Sequence, residues 1–291
     1  MNSNKLVNQS LEDGENIILN RQRLVFSPEG ELIFLRPLLH IPSQVPTREP
    51  DRLYIYHHLG LGDHMVCNGM VRHLLENSPH KKVGVFAKSN YFSLVEHMYR
   101  DDPRIKIIKV GKTTEFEDVA AFLDGYNCDN FIIVGHQYFN AVPESVKRKQ
   151  NCWEIFYDLV DVPREVRNQM FHIEREPEAE EDLLKKLNPN NEPFIFVHDD
   201  PERGFHLDLN KVRGQEFTMA PDIKIIRNNP SVNLFYFLKI IEKAEQVHCM
   251  ESSFKCLIDS WEGKRDGLFF HELRSTPLGQ TNLPWKRVKY T

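Results

Sequence analysis

The segment YHHLGLGDHMVCNGM, residues 56–70, joins a strand pattern to a helix pattern through a short turn. The apolar run LYIY that leads into it predicts a strand, and the apolar face of His64–Glu76 after it predicts a helix. Gly60 and Gly62 lie in the turn, where glycine permits left-handed backbone and the close approach of a ligand. The start of a helix also offers free N–H groups. We therefore expect Asp63 to stand at a strand–helix junction of the kind that binds ligands.

Strands and helices alternate on the C-terminal side of this junction. The apolar segments KVGVFA, IKIIKV and NFIIVG predict three more strands, and helices are predicted between them at Tyr91–Tyr99 and Glu115–Leu123. This series predicts a parallel, doubly wound sheet with right-handed crossovers. The charged passage 174–193 follows, and it is either the connection between two lobes or an exposed surface helix.

The alternation resumes beyond this passage and predicts a second lobe. The strand segments are FIFVHDD, IKIIRNN, VHCME and GLFFHEL, and the helices are Leu234–Gln246 and Ser253–Trp261. Residues 17–36 differ, because short β-favouring runs turn there at SPEG and predict a β-hairpin region. We therefore expect an α/β chain of three parts: a β-rich extension at 1–50, a first lobe at 51–175 and a second lobe at 176–291.

Composition excludes several classes of protein. The 291 residues include 41% hydrophobic and 27% charged residues, which is typical of a soluble globular chain with a sizeable core. The formal net charge of −5 argues against bulk binding of nucleic acid. No stretch approaches the ~18 apolar residues of a membrane span, and the first residues have no apolar signal core. Five widely spaced cysteines favour reduced thiols. We therefore expect a cytoplasmic protein without nucleic-acid partners or a transmembrane segment.

A second strand–helix junction lies at CMESSF, residues 249–254. Backbone N–H groups and two hydroxyls at the start of a helix suit a phosphate or diphosphate. Both junctions have structural alternatives, because Asp63 fits a helix N-cap, and Ser252 and Ser253 do so too. Ligands of open α/β sheets collect at the carboxyl ends of the strands, so the occurrence of two such junctions favours binding sites.

Other ligand motifs of α/β proteins are missing. Dinucleotide binding requires a third glycine, where Met65 stands, and an acid at the end of the second strand, which ends in AKSN instead. The missing acid also weakens a methyltransferase interpretation, and neither a P-loop nor a Gly-x-Ser-x-Gly elbow occurs. Thirteen histidines show no zinc spacing. The run His198-Asp199-Asp200 offers ligands for a cation, but no Asp-x-Asp occurs, and we expect no metal.

The two junctions resemble those of the two-lobed GT-B glycosyltransferases, and within that fold the heptosyltransferase-like group. That group opens its first lobe with a strand, a glycine-rich turn containing Gly-Asp and a helix, which LGLGDHMVCNGMVRHL matches. Its second lobe holds an acidic-small-small turn before the helix that receives the sugar-nucleotide phosphates, which KAEQVHCMESSFKCLID resembles. The resemblance spans about residues 53–275. This chain departs from the group at Ser253-Phe254, where a glycine is usual, and it lacks the histidine that follows.

The resemblance implies transfer of a sugar from a nucleotide-diphosphate-sugar donor to a hydroxyl of a glycan or another acceptor. It implies two Rossmann-like, GT-B-like lobes with parallel sheets, the acceptor side first and the donor side second. The nucleotide sugar is a substrate, and no cofactor or metal is expected. Asp63 matches the position of the general base, a role that His57 or His58 also fits. The residues expected on the acceptor side are Gly60, Gly62 and His58, and those expected around the donor are Glu251, Ser252, Ser253, Arg203, His198, Arg227 and Asn228.

Two other functions stay open on the sequence. A catalytically silent module that binds nucleotides or glycans has the same scaffold. A panel of donors separates it from an enzyme, because a silent module binds without sugar transfer or donor hydrolysis. A cofactor-dependent oxidoreductase or methyltransferase is the third function, and binding of NAD or S-adenosylmethionine would revive it.

Overall fold

The computed structural model describes the backbone of three strands before residue 38 and, beyond them, residues 49, 51–125, 130–134, 152–209, 220, 222–273 and 281–290. The chain divides into two compact units, Met1–Met170 and Phe171–Thr291. Within the described ranges, no helix combines the length and the apolarity that crossing a bilayer requires.

Three short antiparallel strands open the first unit: β1 (Asn16–Leu19), β2 (Gln22–Phe26) and β3 (Leu32–Pro37). They pair in the order β1-β2-β3, with a register shift between Val25 and Phe26. This sheet confirms the predicted β-hairpin region. The SPEG turn proposed for it lies outside the described residues.

A parallel four-stranded sheet forms the body of the first unit. Strands and helices alternate along the chain as the sequence predicts: β4 (Arg52–Tyr56), α1 (Leu61–Asn77), β5 (Lys82–Lys88), α2 (Phe92–Tyr99), β6 (Ile105–Val110), α3 (Glu115–Gly125) and β7 (Phe131–Ile133). The strand order is β6-β5-β4-β7. The chain therefore leaves β4 on one side and returns beside it on the other. This makes the carboxyl end of β4 the switch point of the sheet, where ligands of open α/β sheets bind.

The position of α1 is fixed by two short helices that pack on it: α4 (Cys152–Asp158) and α5 (Val166–Gln169). The hydroxyl of Tyr157 enters α1, where it donates to the carbonyl of Val66 at 2.8 Å and accepts from the N–H of Met70 at 3.2 Å. Gly69 permits the approach of α5, because a Cβ there would lie 2.4 Å from the carbonyl oxygen of Val166. Both contacts hold the helix that begins at the first junction.

A parallel five-stranded sheet forms the second unit. Its elements are α6 (Pro177–Leu187), β8 (Phe194–His198), β9 (Lys224–Arg227), α7 (Leu238–Lys243), β10 (Gln246–Cys249), α8 (Ser253–Trp261), β11 (Leu268–His271) and β12 (Lys286–Val288). The strand order is β12-β11-β10-β8-β9, and all neighbours are parallel. The prediction of two parallel α/β sheets is therefore confirmed. Strand β12 is an addition, because the sequence pattern did not predict it.

The predicted helix Leu234–Gln246 is wrong in its extent. A 3-10 helix occupies Leu234–Phe237 and begins under the side-chain cap of Asn233. Helix α7 follows it directly and ends before Ala244, which is extended, while Gln246 already belongs to β10. Most of the apolar run in this segment is buried, so its pattern does not mark where the helix ends.

The charged passage 174–193 contains α6, and a buried ion pair anchors it within the second unit. The carboxylate of Glu180 is almost fully buried and accepts from the guanidinium of Arg175 at 2.9 Å. The same guanidinium binds Glu242 on α7 at 2.5 Å. The acidic run of this passage is therefore partly a structural feature of the second unit rather than a solvated connection alone.

Candidate functional site

Polar side chains gather at the carboxyl end of β4, the switch point of the first sheet. His57 and His58 follow the strand directly, and α1 begins at Leu61. Asp63 lies in the first turn of α1, and its Oδ2 is 2.6 Å from Nδ1 of His58. The side chains are partly exposed, 34% for His58 and 20% for Asp63. The structure thus joins two of the predicted site residues into one hydrogen-bonded pair, called the His58–Asp63 pair below.

The interpretation of Asp63 as a helix N-cap is wrong. The N-cap residue is Gly60, which makes no side-chain cap hydrogen bond, and Asp63 is the third residue of the helix. Its carboxylate turns back toward the loop, and a Cβ on Gly60 would lie 2.5 Å from Oδ2 of Asp63. The glycine therefore leaves room for the protein's own carboxylate, whereas the sequence suggested room for a ligand. Gly62 lies one residue inside the helix.

Two histidines beside the pair are buried and neutral. Nδ1 of His57 lies 2.8 Å from the carbonyl oxygen of His58, so this nitrogen carries the proton. Nε2 of His57 and both ring nitrogens of His64 are buried without a hydrogen-bond partner in the described residues. The two rings meet edge to face at 4.5 Å. Burial is the main cause that lowers the pKa of each, so neither carries charge near neutral pH. His57 is therefore a poor candidate for the exposed base.

A lysine from the next strand of the sheet lies near the His58–Asp63 pair. Lys88 ends β5, and its ammonium group pairs with Glu115 at the start of α3. Burial lowers the pKa of Lys88, and the charge of Asp63 opposes that shift. Lys88 was not among the predicted site residues. Its signal in the sequence is a lysine at the carboxyl end of a strand next to β4.

The second junction lies at the carboxyl end of β10, where α8 begins. Ser252 is the N-cap of α8: its hydroxyl accepts from the N–H of Lys255 at 3.4 Å and donates to the carbonyl of Met250 at 3.1 Å. The capping interpretation of Ser252 is therefore confirmed. Ser253 is the first helical residue and is half-buried. Glu251 lies 3.7 Å from the ammonium nitrogen of Lys255.

Two predicted donor residues from the neighbouring strands lie close to this helix start. His198 ends β8, which pairs with β10, and its ring lies 4.5 Å from the ring of Phe254 in the first turn of α8. Asn228 follows β9, and its side chain acts to raise the pKa of His198, against the effect of burial. Nδ1 of His198 is buried without a hydrogen-bond partner in the described residues. Burial is the main cause that lowers the pKa of His198, so its ring is neutral near pH 7.

Both predicted arginines bind acids of the segment that follows β8. Arg227 donates to Asp199 at 2.5 Å and to the carbonyl of Leu207 at 3.0 Å. Arg203 is exposed, and its guanidinium binds Asp200. Both acids of the run that the sequence offered as cation ligands therefore hold arginines. No group of three or more histidine, cysteine, aspartate or glutamate side chains in the described residues is placed to hold a metal ion.

Comparisons with known proteins found similar solved structures. Neither a protein-family model nor a curated protein matches the chain. Among solved structures, the ADP-heptose LPS heptosyltransferase II of E. coli is similar, with a TM-score of 0.52 and 10% identity over 81% of this chain and 90% of that one. A family 9 glycosyl transferase from Veillonella parvula has a TM-score of 0.49 and 11% identity over 82% and 86% of the two chains. The iron-containing dodecameric glycosyltransferase TibC from enterotoxigenic E. coli has a TM-score of 0.44 and 13% identity over 92% and 68%.

The first of these similarities shows a shared fold and nothing finer. The chain is an α/β protein with two parallel sheets and helices, matching the GT-B architecture of that heptosyltransferase. The fold predicted from the two junctions is therefore confirmed.

Proposed function

We propose that the chain is a metal-independent glycosyltransferase that moves a sugar from a nucleotide-diphosphate-sugar donor to a hydroxyl of a glycan or another acceptor. The observation that carries this proposal is the His58–Asp63 pair at the carboxyl end of β4. Removal of a proton from an attacking hydroxyl requires a partly exposed group of this kind. The GT-B architecture is consistent with this chemistry. The sequence resemblance gives the role of general base to Asp63, one member of this pair.

The donor diphosphate is assigned to the start of α8 in the second unit. The unpaired N–H groups and the positive end of a nine-residue helix favour an anion there. His198 supports this assignment, because a buried ring nitrogen without a partner lies beside the first turn of the helix. Asn228 acts on the same ring, whose pKa it raises against the effect of burial. Glu251, Arg203 and Arg227 lie at or after the carboxyl ends of three strands of the same sheet, and they belong to the proposal as outer residues of the donor site.

Nucleotide binding is the first experiment. A thermal-shift screen of UDP, GDP, ADP and CDP and their sugars identifies the donor class, since a ligand at 100 times its Kd adds about 2.7 kcal/mol of stability. Calorimetry with the best nucleoside diphosphate then compares variants. Ser253→Ala should weaken binding by about 0.5–3 kcal/mol, the range of neutral and charge-assisted hydrogen bonds. Ser93→Ala on α2 is the matched control and should bind normally.

The other variants separate binding from transfer. Ser252→Ala removes a helix cap as well as a hydroxyl, so a stability loss of about 0.5–2 kcal/mol should accompany its weaker binding. Asp63→Asn should bind the nucleotide normally and transfer more slowly, because it weakens the His58–Asp63 pair. If Gly62→Val abolishes nucleotide binding while Ser253→Ala binds normally, the donor belongs to the first unit and the assignment is wrong. Binding without transfer or donor hydrolysis across the panel would identify a silent binding module instead.

A further inference from the structure

We infer that His58 takes the proton from the acceptor hydroxyl and that Asp63 is the carboxylate that positions it. The inference rests on the proposed glycosyl transfer and assigns the two members of the His58–Asp63 pair to different roles.

The hydrogen bond between the two side chains fixes the tautomer of the imidazole. A carboxylate only accepts, so Nδ1 of His58, 2.6 Å from Oδ2 of Asp63, must carry a proton. In a neutral imidazole this leaves the lone pair on Nε2, the nitrogen turned away from the carboxylate. The arrangement is that of a base whose ring is oriented by an acid, and the acid stabilises the imidazolium that forms.

The exposed fractions of the two side chains also favour His58 as the base and Asp63 as the positioning residue. The imidazole of His58 is 34% exposed, against 20% for the carboxylate of Asp63. The carboxylate is also packed over Gly60, within 2.5 Å of the position that a Cβ would take there. Oδ2 of Asp63 is already used by the imidazole, so the carboxylate is placed to hold the ring, while the ring has the larger surface for an acceptor.

Asp63 is the charged group that acts on the ring of His58, because the other titratable groups around the pair are neutral or paired with one another. From β4 and α1, His57 and His64 face it as neutral rings, since burial lowers the pKa of both. From β5 and α3, Lys88 and Glu115 neutralise one another in an ion pair. Asp63 is thus a carboxylate in direct contact with an imidazolium at position 58.

The proposed step balances without a further reactant. The O–H bond of the acceptor breaks as its oxygen forms a bond to the anomeric carbon of the donor sugar. The bond from that carbon to the diphosphate oxygen breaks, and the diphosphate leaves with the electron pair. The proton goes to Nε2 of His58, which becomes an imidazolium held by Asp63 and later loses the proton to solvent.

Two variants and a pH profile test the assignment with the nucleotide sugar that turns over fastest in a panel of UDP-glucose, GDP-mannose and ADP-glucose. His58→Gln should lower kcat about 10²–10⁴-fold and leave the KM for the donor within about threefold. Asp63→Asn should lower kcat by a smaller factor. The acid side of the kcat/KM profile should differ between the wild type and His58→Gln, because the variant lacks the proposed base. His73→Gln, the same exchange farther along α1, is the control and should match the wild type.

A measurement without substrate separates this inference from the proposed function. Imidazole ¹⁵N NMR of the intact chain should find the proton of His58 on Nδ1, and Asp63→Asn should change the ratio of tautomers. If no donor turns over, the proposed function fails while the NMR result still reports on the pair. The inference is overturned if His58→Gln keeps kcat within threefold of wild type, if Asp63→Asn loses more than His58→Gln, or if the acid side of the kcat/KM profile is the same in His58→Gln and the wild type. Each result would return the base role to Asp63.

Discussion

Replacing one buried histidine of the second unit should change how the stability of the protein depends on pH. Nδ1 of His248 lies 2.9 Å from Nε2 of His271, and Nδ1 of His271 lies 2.8 Å from the hydroxyl of Tyr290. Both imidazoles are fully buried, and His248 stacks on Phe269 at 4.7 Å. Burial lowers the pKa of each histidine to about 3, and the neighbouring His271 adds to the shift at His248.

The sign follows from proton uptake by the unfolded chain. An unfolded histidine titrates near about pH 6.5, whereas the folded pKa is about 3 for both residues. Above pH 6.5 both states are neutral, and the stability is fully present. As the pH falls below 6.5, the unfolded chain binds protons that the folded chain does not, so stability is lost until the folded pKa is reached. The full slope is about 1.4 kcal/mol per pH unit for each histidine.

The variant His271→Gln isolates one of these contributions, because an amide still offers hydrogen bonds to His248 and Tyr290. Between pH 6 and pH 5 the wild type should lose about 1.2 kcal/mol more of its free energy of unfolding than the variant, which is slightly less than the full slope because the window begins near the unfolded pKa. Urea unfolding at pH 7.5, 6 and 5, followed by tryptophan fluorescence, measures the difference. His73→Gln in the first unit should keep the wild-type slope. Equal slopes for wild type and His271→Gln would refute the reasoning, because they would mean that His271 binds no fewer protons in the folded state.

Three further outcomes follow from the first unit and the proposed chemistry. Gly69→Ala should destabilise the protein by about 1–3 kcal/mol, because the added Cβ would lie 2.4 Å from the carbonyl oxygen of Val166. Gly125→Ala is the control, because the space around Gly125 is open. It should be neutral or stabilising by up to about 1 kcal/mol in the same unfolding assay. Tyr157→Phe should lower the free energy of unfolding by about 1–2 kcal/mol in that assay. It removes the hydrogen bond to the buried carbonyl of Val66 on α1, which then has one partner fewer. Sugar transfer should persist in excess chelator, and complete loss with recovery on adding magnesium or manganese would defeat metal independence.

The fold was largely predictable from local patterns because its strands are buried and its junctions carry helix-start residues. Helix α8 has the predicted bounds, Ser253–Trp261, since a capping serine marks its start and an apolar face marks its length. The helix expected at Leu234–Gln246 failed for the opposite reason. Its apolar residues are buried around much of the helix circumference, and this removes the periodic contrast on which the prediction depends.

The site was predictable in place but not in its contacts. The Gly-Asp junction located Asp63 at the correct end of β4, because the order of strand, turn and helix is local information. Its partner His58 lies five residues earlier across a turn, a spacing that no helix or strand period marks. The hydrogen bond between His248 and His271 joins residues that are 23 positions apart in the sequence. It exists only because β10 and β11 pair in one register. Contacts of this kind depend on strand order, which a single sequence does not state.

Burial, rather than residue type, separates the histidines that maintain the fold from the one proposed to act. Thirteen histidines invite a functional reading of the whole set. Four of those at or near strand ends, His57, His198, His248 and His271, have a pKa lowered chiefly by burial. A ring of that kind is a weak proton acceptor near neutral pH, because its charged form lacks solvation. His58 differs from them in keeping a third of its side chain exposed while its Nδ1 is held by a carboxylate. The same amino acid therefore makes the second unit sensitive to acid and gives the first unit its candidate base, and the exposed fraction of the ring distinguishes the two uses.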